Sequence, residues 1–95
     1  MLKAPLLTLA LAALLAAPAA AQAPLAAEGC TGCHGPSGSG QGSVAALAGR
    51  DANELAAAMR AFGATERPGT IMGRIARGYT DAEIAAIAAY FAAQR

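Results

Sequence analysis

Both cysteines of the 95-residue chain and its single histidine stand within five residues, in the stretch Cys30-Thr31-Gly32-Cys33-His34. Cysteines at this spacing, three positions apart on one helical turn, can bond to the two vinyl groups of one porphyrin. The next residue, His34, then lies under the iron and can supply a nitrogen ligand. The motif therefore predicts covalent attachment of one haem c through Cys30 and Cys33, with His34 as an axial iron ligand.

Three other interpretations of this motif fit less well. A thioredoxin-like redox pair requires a preceding strand in a βαβ unit, and no strand pattern is present. A structural disulfide would give no reason for His34 to follow Cys33 directly. A zinc site requires about four ligands, whereas no carboxylates cluster beside the two cysteines and the histidine.

The apolar residues of this chain can build only a thin core by themselves. Hydrophobic residues make up 56% of the sequence, but most of them are alanine, and tryptophan is absent. Alanine buries little apolar area, and domains below about 70–80 residues usually need a disulfide, a metal or another staple. A buried cofactor would meet that need.

The first 21 residues have the organisation of a secretory signal peptide. Lys3 precedes an apolar stretch over residues 6–17, and small alanines follow it. That stretch is shorter than the ~20 residues of a transmembrane helix, although an uncleaved anchor is the alternative. We expect residues 1–21 to be removed on export, to the periplasm in a Gram-negative source. Residues 22–95 would then form one monohaem domain without stable membrane insertion.

The remaining sequence has helical periodicity, without strand alternation, and predicts an all-α fold. A brief helix over residues 24–29 leads into the cysteines, and a glycine-rich loop over residues 35–43 follows the motif. Asp51 with Glu54, and Thr80 with Glu83, have the spacing of helix N-terminal capping boxes. The last helix has apolar residues at positions i, i+3, i+4 and i+7, namely Ile84, Ile87, Ala88 and Phe91.

The second axial ligand must come from elsewhere in the chain, and methionine is common in this role. Two methionines, Met59 and Met72, remain in residues 22–95. Met59 lies in the middle of a helix among apolar residues, where a core role is expected. Met72 follows a Pro-Gly pair in an irregular segment, and we expect residues 71–77 to form one or two helical turns, broken by Gly73 and Gly78. We therefore expect Met72 to ligate the iron. An open iron in a small haem enzyme is the alternative, but no distal acid–base pair supports it.

The charge pattern argues against nucleic-acid binding. The formal net charge is +1, and basic and acidic residues are interspersed along the chain. Gly38, Gly40 and Gly42 could suggest a phosphate-binding loop, but no strand precedes them and no Gly-Lys-Ser/Thr follows.

The motif order resembles that of class I c-type cytochromes. The attachment motif comes first, a methionine follows in a later loop, and a C-terminal helix has an aromatic residue near its end. The stretch over residues 66–84, around Met72-Gly73-Arg74-Ile75-Ala76, is more narrowly similar to the cytochrome subunit of flavocytochrome c sulfide dehydrogenase. Cys33-His34-Gly35-Pro36 and Leu47-Ala48-Gly49 fit the same pattern.

This resemblance implies a class I cytochrome c fold with short helices around one haem, and His34 and Met72 as axial ligands. The last helix would cross the first near Tyr90. It also implies electron transfer from a sulfide-oxidising flavoprotein dehydrogenase to other redox proteins, with a general-purpose shuttle as the alternative. Relatives usually have a glycine-proline pair whose backbone orients the histidine. This sequence has Gly42-Ser43 in that neighbourhood.

Overall fold

The computed structural model describes residues 23–68 and 71–95, so the predicted signal peptide over residues 1–21 lies outside the described residues. Four α-helices and one 3₁₀ turn make up the regular structure of these ranges: α1 (Leu25–His34), the 3₁₀ turn (Pro36–Gly38), α2 (Ala52–Gly63), α3 (Met72–Ala76) and α4 (Asp81–Ala92). The described ranges contain no strand, only an isolated antiparallel bridge between Gln41 and Val44. The predicted all-α fold is confirmed.

The helix that carries the motif is longer than expected. α1 begins after Pro24 and continues through both cysteines to His34. It ends at Gly35, whose φ of 84° lies in the region that favours glycine. The Gly35 N–H bonds the Thr31 carbonyl at 3.0 Å. The whole motif therefore lies on regular helix, which fixes the relative positions of its side chains.

One of the two predicted capping boxes is complete. At α4 the Thr80 hydroxyl accepts from the Glu83 N–H at 3.2 Å, and the Glu83 carboxylate accepts from the Thr80 N–H at 2.9 Å. At α2 the Asp51 carboxylate accepts from the Glu54 N–H at 2.9 Å, which is half of a box. The prediction of a full box there is wrong, because the Glu54 carboxylate pairs instead with Arg50.

The helical turn predicted over residues 71–77 is present, but the predicted break at Gly73 is wrong. Met72 is the first residue of α3, and Gly73 lies inside that helix. A Cβ on Gly73 would come 3.6 Å from the Phe62 carbonyl oxygen, so α3 passes close to the end of α2. Met72 is thus held by a short packed helix and does not belong to an irregular loop.

The hydrophobic core is small and centres on α4. Phe91 is fully buried, and Ile84, Ile87 and Ala88 on the same face are buried as predicted. They pack against Ala27 of α1 and against two residues of α2, Leu55 and Ala56. Tyr90 packs against this cluster, and its ring lies edge-on to Phe91 at 5.0 Å. None of the described helices is long and apolar enough to cross a membrane.

A substitution at Gly38, in the 3₁₀ turn, tests how closely this turn packs on α4. Its φ is 71°, and an added Cβ would lie 2.6 Å from Phe91 Cδ1. We expect Gly38→Ala to lower the free energy of unfolding of the holoprotein by about 2–4 kcal/mol, through backbone strain and overpacking together. Denaturant unfolding followed by circular dichroism measures this change.

Gly42→Ala is the matched control for that substitution. Gly42 also has a positive φ, 58°, but nothing lies within 4 Å of the added Cβ. Gly42→Ala should therefore lower the free energy of unfolding only by the backbone strain, about 1–2 kcal/mol. Equal losses in the two variants would contradict a tight contact between the loop and Phe91.

Candidate functional site

Helix α1 presents the three motif side chains to one side. Positions i, i+3 and i+4 of an α-helix share a face, and Cys30, Cys33 and His34 have this spacing. Cys30 is partly buried and Cys33 is exposed. The three side chains line a common cavity. Two sulfur atoms and an imidazole therefore lie along the wall of the cavity that α1 forms.

The cavity has a volume of about 450 Å³, within the range of protein cofactor sites. Its other walls come from the loop before α2, from α2 and α3, and from the core face of α4. Most of the lining is apolar. The lining residues outside α1 include Val44, Ala45, Leu47, Leu55, Ala58, Met59, Phe62, Ile71, Met72, Ile75, Tyr79, Ile87 and Phe91. Such a lining suits a flat, largely apolar group.

The imidazole of His34 is oriented by a backbone carbonyl. Its Nδ1 lies 2.6 Å from the Ala45 oxygen. Because a carbonyl can only accept, Nδ1 donates this hydrogen bond, and in the neutral tautomer with this proton the lone pair lies on Nε2. Metal-ligating histidines commonly have this arrangement, which fixes the tautomer and the ring plane. His34 is therefore prepared to ligate a metal through Nε2.

A tight turn places Ala45, which the sequence analysis did not identify. Gln41 and Val44 exchange backbone hydrogen bonds, 3.1 Å from Gln41 N to Val44 O and 2.9 Å in the reverse direction. Gly42 within this turn has a φ of 58°. The turn occupies the neighbourhood where relatives have a glycine-proline pair. Its only sequence signal is the close spacing of glycines after the motif.

The two cysteine thiols have different surroundings. Burial raises the pKa of the Cys30 thiol, because the thiolate loses solvation. Burial at this position therefore disfavours a charged sulfur.

Tyr79, between α3 and α4, is another cavity residue that the sequence analysis did not identify. It is partly buried and packs against the core. Burial raises the pKa of its phenol, and the nearby Cys30 and Glu83 raise it further. A Cβ on Gly29 would lie 3.4 Å from the Tyr79 hydroxyl oxygen, so this ring lies against the cysteine-bearing helix.

Both methionines of the described residues line the cavity. Met72, the methionine expected to ligate the iron, does so from the start of α3. Met59 packs against the core, as expected, but it also faces the cavity from the middle of α2. The expectation that Met59 serves the core alone is therefore incomplete. The cavity brings two thioethers together with His34.

The apolar lining of this cavity favours an apolar occupant, because such an occupant removes apolar surface from water. A group that fills the cavity and bonds to Cys30 and Cys33 would enlarge a core in which four of the eight buried residues are alanines. The donor set of two thiols, one imidazole and thioethers fits haem c.

Comparisons with known proteins agree with this chemistry. The family profile described as Cytochrome c matches residues 19–94. The chain is also similar to the thiosulfate dehydrogenase electron acceptor of Stutzerimonas stutzeri (strain A1501), with 45% identity over 63 residues. That alignment covers 62% of this chain but only 29% of the relative, so the relative is the much longer protein.

Proposed function

Because the chain belongs to the cytochrome c family, which binds haem c covalently, we propose that it is an exported carrier of single electrons. In this proposal Cys30 and Cys33 attach the haem, and His34 and Met72 are its axial ligands. The single observation that carries it is one apolar cavity lined by all four of these residues. A closed pair of ligands makes the chain an electron carrier and leaves no site for substrate on the iron.

The bound haem supplies the one-electron couple, and the residues of this chain hold and tune it. The sulfur atoms of Cys30 and Cys33 anchor it to one helix. The Ala45 carbonyl holds the imidazole of His34 with Nε2 free. The mostly apolar lining places few polar groups around the bound group, which limits the reorganisation that accompanies a change of charge.

We propose that the electron donor is a dehydrogenase that oxidises a reduced sulfur compound. The first candidate is a flavoprotein that oxidises sulfide, on the likeness of residues 66–84 to a sulfide dehydrogenase subunit. Its flavin would take two electrons from the substrate and release them singly to this carrier. The second candidate is a thiosulfate dehydrogenase, because the relative from Stutzerimonas stutzeri is named as an electron acceptor of that enzyme. Both donors are compatible with export of this chain to the periplasm, directed by a signal peptide over residues 1–21.

The rim of the cavity offers the donor an apolar contact surface. Val44 and Ile71 line the cavity and are exposed, Ile71 by 60%. Cys33 is exposed beside them on α1. Small apolar contacts of this kind depend little on long-range charge steering.

The expected result is rapid reduction of the oxidised holoprotein by its own donor. Stopped-flow mixing with a sulfide-reduced flavoprotein dehydrogenase, and separately with a thiosulfate-reduced thiosulfate dehydrogenase, measures it. The rate should saturate with the concentration of one donor, because a complex forms before transfer. It should change less than about threefold between low and physiological ionic strength.

The same experiment separates the candidates. Saturation with the flavoprotein alone supports the sulfide assignment, and saturation with thiosulfate dehydrogenase alone supports the second. Slow reduction by both, with rates that rise linearly with donor concentration, would contradict a dedicated partner. The chain would then be a general-purpose shuttle.

A further inference from the structure

The C-terminal end of α2 has a strained backbone. Thr65, two positions after the last residue of the helix, has a φ of 59°. This left-handed region is costly for a β-branched residue and favours glycine. Among the described residues one other non-glycine position, Ser37, has a positive φ, 55°. Threonine keeps this conformation only because the surrounding contacts hold it there.

Thr65 occupies the position at which many helices end in glycine. Its N–H bonds the Phe62 carbonyl at 3.1 Å, and the Glu66 N–H bonds the Ala61 carbonyl at 3.0 Å. These two bonds form the Schellman motif, in which the first of the two donor residues has the left-handed conformation. The motif satisfies two carbonyls of the last turn of α2, and the strain of that arrangement falls on Thr65.

Gly63 offers the same motif two residues earlier. It is helical in this structure, where glycine is less favourable than alanine. If Gly63 took the left-handed position, its N–H would bond the Arg60 carbonyl. The next N–H, that of Ala64, would bond the Met59 carbonyl. This shorter end of α2 would have both capping bonds of the motif and would leave Thr65 unstrained.

Packing against α3 favours the longer end of α2. A Cβ on Gly63 would lie 3.8 Å from the Ala76 Cβ, and a Cβ on Gly73 would lie 3.6 Å from the Phe62 carbonyl oxygen. The last turn of α2 therefore lies along α3, the helix that begins with Met72. Phe62 and Met72 also line the cavity together. Unwinding this turn would therefore remove packing that supports α3 and Met72.

We propose that α2 alternates between these two ends, and that the shorter end releases Met72 from the iron. The inference rests on the proposed ligation of the iron by Met72. The longer end, capped at Thr65, is the major state, and the shorter end, capped at Gly63, is the minor one. An external ligand binds the ferric iron only while Met72 is released, so its affinity is reduced by the fraction of protein in that state. Thr65 thus controls access to the iron although it does not line the cavity.

The test is imidazole binding to the ferric holoprotein, followed by the loss of the sulfur–iron charge-transfer band. Gly63→Ala removes the glycine that the shorter end needs, and the added Cβ makes only ordinary contact with α3. It should weaken imidazole binding by about tenfold, because alanine favours the helix and disfavours the left-handed position. Thr65→Gly relieves the strain of the longer end and should weaken imidazole binding about fivefold.

Ser37→Gly is the matched control, because it relieves the same kind of strain in the 3₁₀ turn, outside α2. It should change the imidazole affinity by less than about twofold. Hydrogen exchange of the Glu66 amide is a second measurement, because its bond to the Ala61 carbonyl exists only in the longer end. This exchange should slow in Gly63→Ala and Thr65→Gly, and it should stay unchanged in Ser37→Gly.

The same measurements on Met72→Ala separate the switch from the ligand assignment. Equal imidazole affinities of the wild type and Met72→Ala would show that Met72 does not close the iron, and both would be overturned. If Met72→Ala binds imidazole more tightly, an unchanged affinity in Gly63→Ala or Thr65→Gly overturns the switch alone. Equal effects of Thr65→Gly and Ser37→Gly would also overturn it. Slower exchange at Glu66 with unchanged imidazole binding would contradict the coupling between the end of α2 and Met72.

Discussion

Replacing both Cys30 and Cys33 by alanine is expected to leave almost no folded protein. The buried core consists of a few side chains around Phe91, and four of its eight members are alanines. Both cysteines lie along a cavity of about 450 Å³. Without covalent attachment the cavity loses its anchored occupant and its apolar walls are left in water, and a core this small offers little stability to compensate.

Mass spectrometry and circular dichroism of the exported protein measure this effect. The wild type should gain the mass of one haem, and its colour should survive acid–acetone extraction. Thr31→Ala is the matched control, because Thr31 lies between the cysteines but only donates its hydroxyl proton to the Glu28 carbonyl, at 2.9 Å. It should keep haem and fold. A colourless, well-folded Cys30→Ala/Cys33→Ala variant would show that the chain does not need the cofactor.

The second large effect is expected for Met72→Ala. If the Met72 sulfur ligates the iron, its loss should abolish the sulfur–iron charge-transfer band of the oxidised protein. The reduction potential should also fall, because a thioether ligand favours ferrous iron. Absorption spectroscopy and a redox titration measure the two changes on the same sample.

Met59→Leu is the control for this substitution, because it tests the other methionine of the cavity. Met59 also lines the cavity, so its sulfur is a real competitor for the iron. Leucine has a similar volume, so Met59→Leu should lower the free energy of unfolding by less than about 1.5 kcal/mol. The charge-transfer band and the reduction potential should stay unchanged. If Met59→Leu loses the band and Met72→Ala keeps it, the ligand assignment is reversed.

The sequence was most informative where local chemistry decides structure. The face of Ile84, Ile87 and Phe91 follows from periodicity alone, and the cap at Thr80 needs only two side chains in register. The attachment motif is likewise a local pattern. The family match over residues 19–94 agrees with it.

The sequence was less informative where a contact joins distant segments. The Ala45 carbonyl reaches His34 from 11 positions away, and any residue can offer a carbonyl. The capping box at Asp51 fails because Glu54 has a second partner, Arg50, that the box pattern ignores. Gly73 stays helical because close passage of α3 along α2 outweighs its low propensity. These outcomes depend on packing, which a local pattern does not contain.

A reversible redox titration of the wild-type holoprotein tests the central claim most directly. One haem whose iron has two axial ligands from the protein should give a single one-electron transition per chain. Its midpoint potential should be the same in the oxidative and reductive directions. Carbon monoxide added to the reduced protein should leave that transition and the spectrum unchanged. A transition that moves on addition of carbon monoxide, or the absence of any one-electron transition, would contradict the assignment of this chain as a closed electron carrier.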